Sequence, residues 1–452
     1  MPPLLSSISA LLGVMFLTYV AFILIPFLGY PPTKPGRVDD FEWHLLIPCR
    51  DEAAVIATTI ERARRDFVAA HVWVVDDDSA DDTASIVASY AEHDPHVHLV
   101  QRRRPEARTG KGDALNAAYR QLNDWLGAGA DRSRVIITVV DADGELAANA
   151  LEVVSSAEVF GDPNIGAAQI AVWMKNRDDP HPLRGRGRLR NLLARWIVRM
   201  QDLEFRTVIA GMQSLRARTG TVGLGGNGQF TRLAVRDELA AHYGSPWHGS
   251  LLEDYELGVH VRLAGSKIKH VYDTHVSQEA LPSVRRLLTQ RTRWAQGNIQ
   301  CVKYVRDIVR SPKFDSGGVL ETTYYLILPF LQLTGMITFV LMTGFGIYSL
   351  ITDPVYVETQ RQHLLVNLTL ILLFAVLPFA VWGPIYKLRC EPAASWPRAL
   401  LWGVGLYFYI FYMWAVLPRA FWRVLRGKTG WSKTRRNAEA IVKTDGSVAI
   451  ES

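Results

Sequence analysis

Four apolar stretches without a charged residue, at 8–30, 322–352, 364–386 and 399–418, constrain this chain more than any other feature. Each is long enough to cross a bilayer core, which takes about 20 helical residues. The first competes with a secretory signal. No basic segment precedes it, however, and Pro26, Pro31 and Pro32 stand where small residues would mark a cleavage site, so it reads as a retained helix. With 49% apolar and 21% charged residues the chain is neither disordered nor collagen-like. The layout is a transmembrane helix (1–33), a large domain with interfacial helices (34–310), a membrane cluster (311–424) and a basic tail (425–452).

Lys34 and Arg37 follow the first helix and nothing basic precedes it, which places the large domain in the cytoplasm of a multi-pass protein of the cell membrane. Residues 353–362 read as external, and the loop bearing Lys387, Arg389 and Arg398 as internal. A fourth crossing would then put the tail outside, although Arg419, Arg423, Arg426, Lys428, Lys433, Arg435 and Arg436 should hold it inside. Either an extra short element hides around Pro329 or the last stretch does not fully cross. Cys49, Cys301 and Cys390 lie far apart without a CxxC spacing, so neither a disulfide framework nor a zinc site is written here.

Inside the large domain, β-branched runs at 44–48, 72–75, 98–100, 135–140 and 166–172 alternate with helical patterns at 53–69, 82–92, 113–126 and 147–159. That alternation predicts an α/β domain on a mostly parallel sheet, with ligands beyond the carboxyl ends of the strands. Those ends are acidic: Asp76, Asp77 and Asp78 follow one strand, and Asp141 and Asp143 another. Extended geometry turns Asp141 and Asp143 the same way. Two carboxylates without His or Cys suit a hard cation, Mg²⁺ or Mn²⁺, completed by phosphate oxygens. A lone pair of this kind is more often a solvated turn; two acidic strand ends in one sheet favour a site.

Further on stand Gly226, Asn227, Gly228 and Gln229, then Glu253 and Asp254, then Gln290, Arg293 and Trp294 in QRTRW. A carboxylate, an arginine and a tryptophan beside a metal-phosphate site suggest a base, a phosphate clamp and a stacking platform, although each alone also suits a helix terminus or an interfacial segment. Gly223, Gly225 and Gly228 match GxGxxG without the flanking strand and helix of a dinucleotide site, and TGKGD lacks the spacing of a phosphate loop. Lys111 within it remains a phosphate-facing cation. Arg184, Arg186, Arg188 and Arg190 precede a helical stripe, Leu192, Leu193, Trp196, Ile197, Met200 and Leu203, which suits either an anionic leaflet or packing on the sheet. Nucleic acid as a partner is excluded by the membrane stretches and the acidic strand ends.

In order, PCRDE (48–52), DDDS, KGDALN (111–116), DAD, GNGQF, the ED pair and QRTRW resemble the membrane-integrated family 2 glycosyltransferases, among them cellulose, chitin and hyaluronan synthases and glycolipid synthases. The resemblance implies a GT-A fold, a nucleotide diphosphate sugar donor, usually of uridine, and inversion at the anomeric carbon. It places Asp51 or Glu52 with Asp76 and Asp78 near the nucleoside, and Lys111, Asp113, Gln290 and Arg293 on the nucleotide or pyrophosphate. Asp141 and Asp143 match the metal motif, Asp254 with Glu253 the base, and Trp294 with Gly226, Asn227, Gly228 and Gln229 the acceptor side. Leu252 departs from the Thr that many members carry there, and GNGQF departs from a cellulose synthase. The favoured product is a growing β-linked polysaccharide passed through the helices, with a lipid carrying one or a few sugars as the alternative; a non-enzymatic scaffold ranks last. Three C-terminal spans line a polysaccharide channel only if the chain forms a homo-oligomer.

Overall fold

The computed structural model describes residues 3–428. Helix α1 (Pro3–Leu28) leads into the large domain, where β1 (Glu42–Cys49), α2 (Ile56–Asp66), β2 (His71–Asp77), α3 (Thr83–His93), β3 (Val97–Arg102), α4 (Lys111–Leu126) and β4 (Val135–Val139) alternate as expected. There follow β5 (Glu145–Leu146), α5 (Ala150–Val154), β6 (Ile165–Met174), α6 (Arg188–Leu203), α7 (Ala210–Thr219), β7 (Gln229–Arg232), α8 (Leu233–Tyr243), α9 (Glu253–Ala264), β8 (Lys267–Gln278), α10 (Val284–Cys301) and α11 (Val305–Arg310). The helix expected over 147–159 ends early because Ser155 turns its hydroxyl onto Leu151 O at 2.6 Å, and Ser156 O takes the amides of Val159 and Gly161.

The strands form one sheet in the order β3-β2-β1-β4-β7-β6-β8-β5. It is parallel from β3 to β4 and again between β6 and β8, but antiparallel β7 separates the two halves, so the sheet is mixed rather than mostly parallel. β1 alternates Leu45 and Ile47 into one core and Leu46 into the other, which is how a strand buried on both faces reads as a continuous apolar run. The chain reverses its strand order between β1 and β4, and a crevice opens there.

Helix α12 (Ser316–Thr352) runs without interruption through Pro329, so the extra element considered there is absent. Its first turns belong to the large domain, since Glu321 is buried against Arg216 at 2.6 Å. Then come α13 (Pro354–Gln362), α14 (Leu364–Arg389) and α15 (Trp396–Leu425). With α1, the helices α12, α14 and α15 are long and apolar enough to cross a membrane.

A third core joins these helices to the large domain: Phe27 of α1, Met200 and Leu203 of α6, Trp382 and Tyr386 of α14, and Leu406 and Tyr409 of α15. Each such buried side chain contributes about 1.5–3 kcal/mol. The chain after α14 is pinned to the same surface, where Arg206 donates to Glu391 Oε1 at 2.9 Å and to Cys390 O at 3.0 Å. Helix α15 touches the domain along its length, from Trp402 under Arg199, through Tyr409 and Tyr412 on Glu204, to Arg423 on Gln296 at 2.7 Å.

The arginine-rich segment packs on the domain, as one of its two readings expects, and keeps part of its apolar stripe exposed. On α6, Asn191, Ala194, Ile197 and Val198 are buried, while Leu189, Leu192 and Leu193 are 81%, 60% and 49% exposed beside the exposed Arg188, Arg190 and Arg195. The helix packs on the domain with one face and leaves an apolar stripe open next to α15.

Candidate active site

A cavity of about 460 Å³ lies in the crevice at the ends of β1, β2 and β4. Its lining gathers Glu52, Asp77, Lys111, Asp141, Asp143, Glu253, Asp254, Gln290 and Arg293 from six stretches of chain, together with Gly226 and Asn227. Its lining also includes the apolar and aromatic side chains Phe205, Ile209, Met212, Leu252, Tyr325 and Trp294.

Asp141 and Asp143 meet in this cavity by a turn, not by extended alternation, since β4 stops at Val139 and Gly144 N donates to Asp141 O at 2.7 Å. Lys111 Nζ donates to Asp141 Oδ1 at 2.7 Å and to Gly226 O at 2.6 Å, tying the strand end to the glycine loop. Asp143, buried, accepts from Glu279 N through Oδ2 at 3.3 Å. A Cβ on Gly226 would stand 3.0 Å from Lys111 Nζ and 3.1 Å from Asp254 Oδ2, so a side chain there would press on both groups. Gly228 has φ +71° and would drive a Cβ to 2.6 Å from Val276, so it requires glycine.

Asp254 opens α9 and receives Tyr255 N at 2.8 Å. Burial, and after it the neighbouring carboxylate of Glu253, pushes Asp254 up to about 7. Burial likewise raises Glu253. For Lys111 burial acts downward, but Asp141 and Glu253 outweigh it and hold the ammonium above its ordinary value. The cavity thus holds a carboxyl group that changes protonation near neutral pH, beside a permanent cation.

Several residues singled out in the sequence lie elsewhere. Of Asp51 and Glu52 only Glu52 lines the cavity; Asp51, at φ 54°, caps the next strand's turn through Ala80 N at 2.7 Å. Of the aspartate triplet only Asp77 lines it. Asp76 is fully buried, with Ser79 N at 3.2 Å and Arg103 at 3.0 Å, and Asp78 pairs with Arg104 at 2.9 Å and Arg108 at 3.1 Å. Asp113 is exposed on the first turn of α4 outside the cavity lining. Gly228 and Gln229 belong to the interior of the sheet behind the cavity, Gln229 fully buried in β7 between β4 and β6.

Sequence reasoning missed Gln169, whose amide holds the glycine loop by donating to Asn227 O at 2.9 Å and accepting from Gly225 N at 2.7 Å. Its signal was a single polar side chain in the apolar run AAQIAV. It also missed Arg291 and Phe205, whose neighbours come from segments far away in the chain.

Residues 43–297 match the model of the glycosyltransferase like family 2, and the chain belongs to that family. The chain is therefore an enzyme, with a GT-A-like fold, and the scaffold reading falls. Among relatives, the β-monoglucosyldiacylglycerol synthase of Synechocystis sp. is 26% identical over 387 residues, covering 83% of this chain and 70% of the relative. The synthase of the same name from Trichormus variabilis is 25% identical over 305 residues, covering 66% of this chain and 58% of the relative, so the match spans little more than half of that protein. The fold also matches a mannosyltransferase of Pyrobaculum calidifontis solved with GDP-Man and Mn²⁺, with a TM-score of 0.52 at 18% identity over 94% of this chain and 99% of that one. By name the two synthases make a glycosylated diacylglycerol. They favour the glycolipid alternative over the polysaccharide synthase preferred from the sequence, and the cellulose-synthase-like reading of QRTRW gains no support.

Proposed function

We propose that this chain is a glycolipid synthase, which moves a sugar from a nucleotide diphosphate donor to the hydroxyl of a diacylglycerol-type lipid at the membrane surface. The observation that carries this reading is the mixed lining of the cavity: cations and carboxylates together with the apolar and aromatic side chains Phe205, Ile209 and Tyr325, the last on α12. An amphiphile fits such a lining, with its hydroxyl at the carboxylates. The names of the relatives support the same acceptor class.

In this mechanism Asp254 takes the proton from the acceptor hydroxyl as it attacks the anomeric carbon. Arg293 and Lys111 bind the diphosphate, with Gln290 beside them, while Glu52 and Asp77 meet the nucleoside. Trp294 presents a stacking face to the acceptor sugar or glycerol. Among the described residues no group of three or more His, Cys, Asp or Glu side chains is placed to hold a metal ion by itself; the oxygen-only pair Asp141 and Asp143 would suit Mg²⁺ or Mn²⁺ completed by oxygen atoms of the donor. When bound, such a cation neutralises charge on the departing diphosphate.

Purified protein in lipid nanodiscs, given UDP-glucose, Mn²⁺ or Mg²⁺ and a diacylglycerol, is expected to yield one lipid-extractable glycoside. A ladder of products that lengthens with time and is cut by a glycan hydrolase would return the polysaccharide reading.

The layout supports three crossings, by α1, α12 and α14, with α15 lying against the large domain. The large domain, the loop after α14 and the end of α15 then share the cytoplasmic side, which removes the conflict posed by Arg419, Arg423, Arg426 and Lys428; Lys433, Arg435 and Arg436 lie outside the described residues. The open stripe of α6 rests on the same leaflet. In intact cells, with the native cysteines replaced, an impermeant thiol reagent is expected to label Glu358→Cys but neither Arg389→Cys nor Arg426→Cys. Labelling of Arg426→Cys would mean that α15 crosses.

A further inference from the structure

Glu204 starts a π-helical turn, Glu204–Ile209, between α6 and α7, and such turns gather at functional sites. Its carboxylate receives Arg291 Nη2 at 2.5 Å, Tyr409 Oη at 3.1 Å and Tyr412 Oη at 3.1 Å. Arg291 is the second residue of QRTRW and is 6% exposed. Its guanidinium lies 4.5 Å from the Trp294 ring centroid, 5.4 Å from Phe205 and 5.6 Å from Tyr412. Phe205 meets Trp294 edge to face at 6.2 Å. Three separate elements therefore converge on one ion pair: the bend between α6 and α7, helix α10, and the middle of α15.

Burying a guanidinium and a carboxylate is costly, and well-packed apolar side chains often do as well for stability. This pair stands where its loss would free the one aromatic ring that α10 turns into the cavity. A planar guanidinium can stack on an indole face and keep its ion pair in the same plane, which an ammonium cannot. Tyr409 and Tyr412 fill the remaining sites of the carboxylate and fasten it to the membrane side.

We propose that Arg291 and Glu204 are positioning residues that fix the ring plane of Trp294 and couple the acceptor end of the cavity to α15. The inference rests on the acceptor role of Trp294 given above, and it extends that role to two residues outside the motif positions Gln290, Arg293 and Trp294. The pair acts on acceptor binding, because Arg291 lies against the Trp294 ring and Glu204 holds Arg291.

The test uses the full chain in nanodiscs and whichever acceptor the wild type glycosylates, so that failure of the glycolipid reading appears in the wild type alone and failure of the pair in the ratio of variant to wild type. Arg291→Lys keeps the charge and loses the stacking plane. It is expected to raise acceptor KM about fivefold to twentyfold with donor KM within about twofold. In a Trp294→Leu background the same change is expected to add less than about twofold, because the ring it positions is gone. The paired replacement Glu204→Gln with Arg291→Met removes both charges without stranding either, and is expected to bind donor normally while showing the same rise in acceptor KM. Unchanged acceptor KM in Arg291→Lys, or an equal effect with and without Trp294, overturns the proposal.

Discussion

Asp254→Asn is expected to lower kcat by about a thousandfold or more, about 4 kcal/mol of transition-state stabilisation, while donor affinity stays within about threefold of wild type. The amide keeps the shape of the carboxylate, and its oxygen can still accept Tyr255 N, which lies 2.8 Å from Oδ1. It cannot take a proton. Burial and Glu253 hold the Asp254 pKa at about 7, so a base there is half-formed at neutral pH and kcat/KM of the wild type should fall about tenfold per pH unit below that point. Glu253→Gln removes the like charge and should move this limb to lower pH. Stability runs the other way: the folded protein holds the proton above the ordinary carboxylate value of 3.8, so Asp254 costs stability as pH rises from about 4 through 7. Asn escapes that cost, and the variant should melt no lower than wild type at pH 8. Steady-state kinetics, donor titration and a melting curve check the three statements, and a variant that transfers sugar near the wild-type rate removes Asp254 as the base.

What the sequence exposed and what it hid follow from range. β1 to β4 and their helices were legible because each is a local apolar pattern closed by a local turn, and the acidic strand ends stood out for the same reason. β7 and β8 were not. β7 is only Gln229–Arg232, and β8 carries buried His270 and Thr274 inside KIKHVYDTHVSQ, which blurs its alternation. The same blindness to range governs the site. Lys111, Asp141 and Gly226 could each be flagged, but nothing local says that one ammonium holds the other two at 2.7 and 2.6 Å. The arginines that occupy Asp76 and Asp78 lie one strand away, so a triplet that reads as one ligand set divides among three neighbours. The basic residues after α15 already raised the alternative that it does not fully cross, but its length and hydropathy match a crossing helix, and its contacts with Arg199, Glu204 and Gln296 come from segments far away in the chain.

Asp143→Asn is expected to lower metal-dependent donor affinity by about a hundredfold, and transfer by at least as much at subsaturating donor. Asp141 and Asp143 are not equivalent here. Asp141 carries the Lys111 ammonium, so its charge is already neutralised within the chain. Asp143 is the more deeply buried of the two and receives an uncharged backbone amide from Glu279. We expect Asp143, the more deeply buried carboxylate, to be the stronger ligand for a divalent cation, and Asp141 to share its charge with Lys111. Nucleotide binding followed by calorimetry, with and without Mn²⁺, separates this effect from the loss of the base: Asp254→Asn should retain the metal-dependent increment and Asp143→Asn should lose it. If Asp143→Asn binds nucleotide with the full Mn²⁺ increment, the cation is held by other groups and the assignment of this strand end to the metal is wrong.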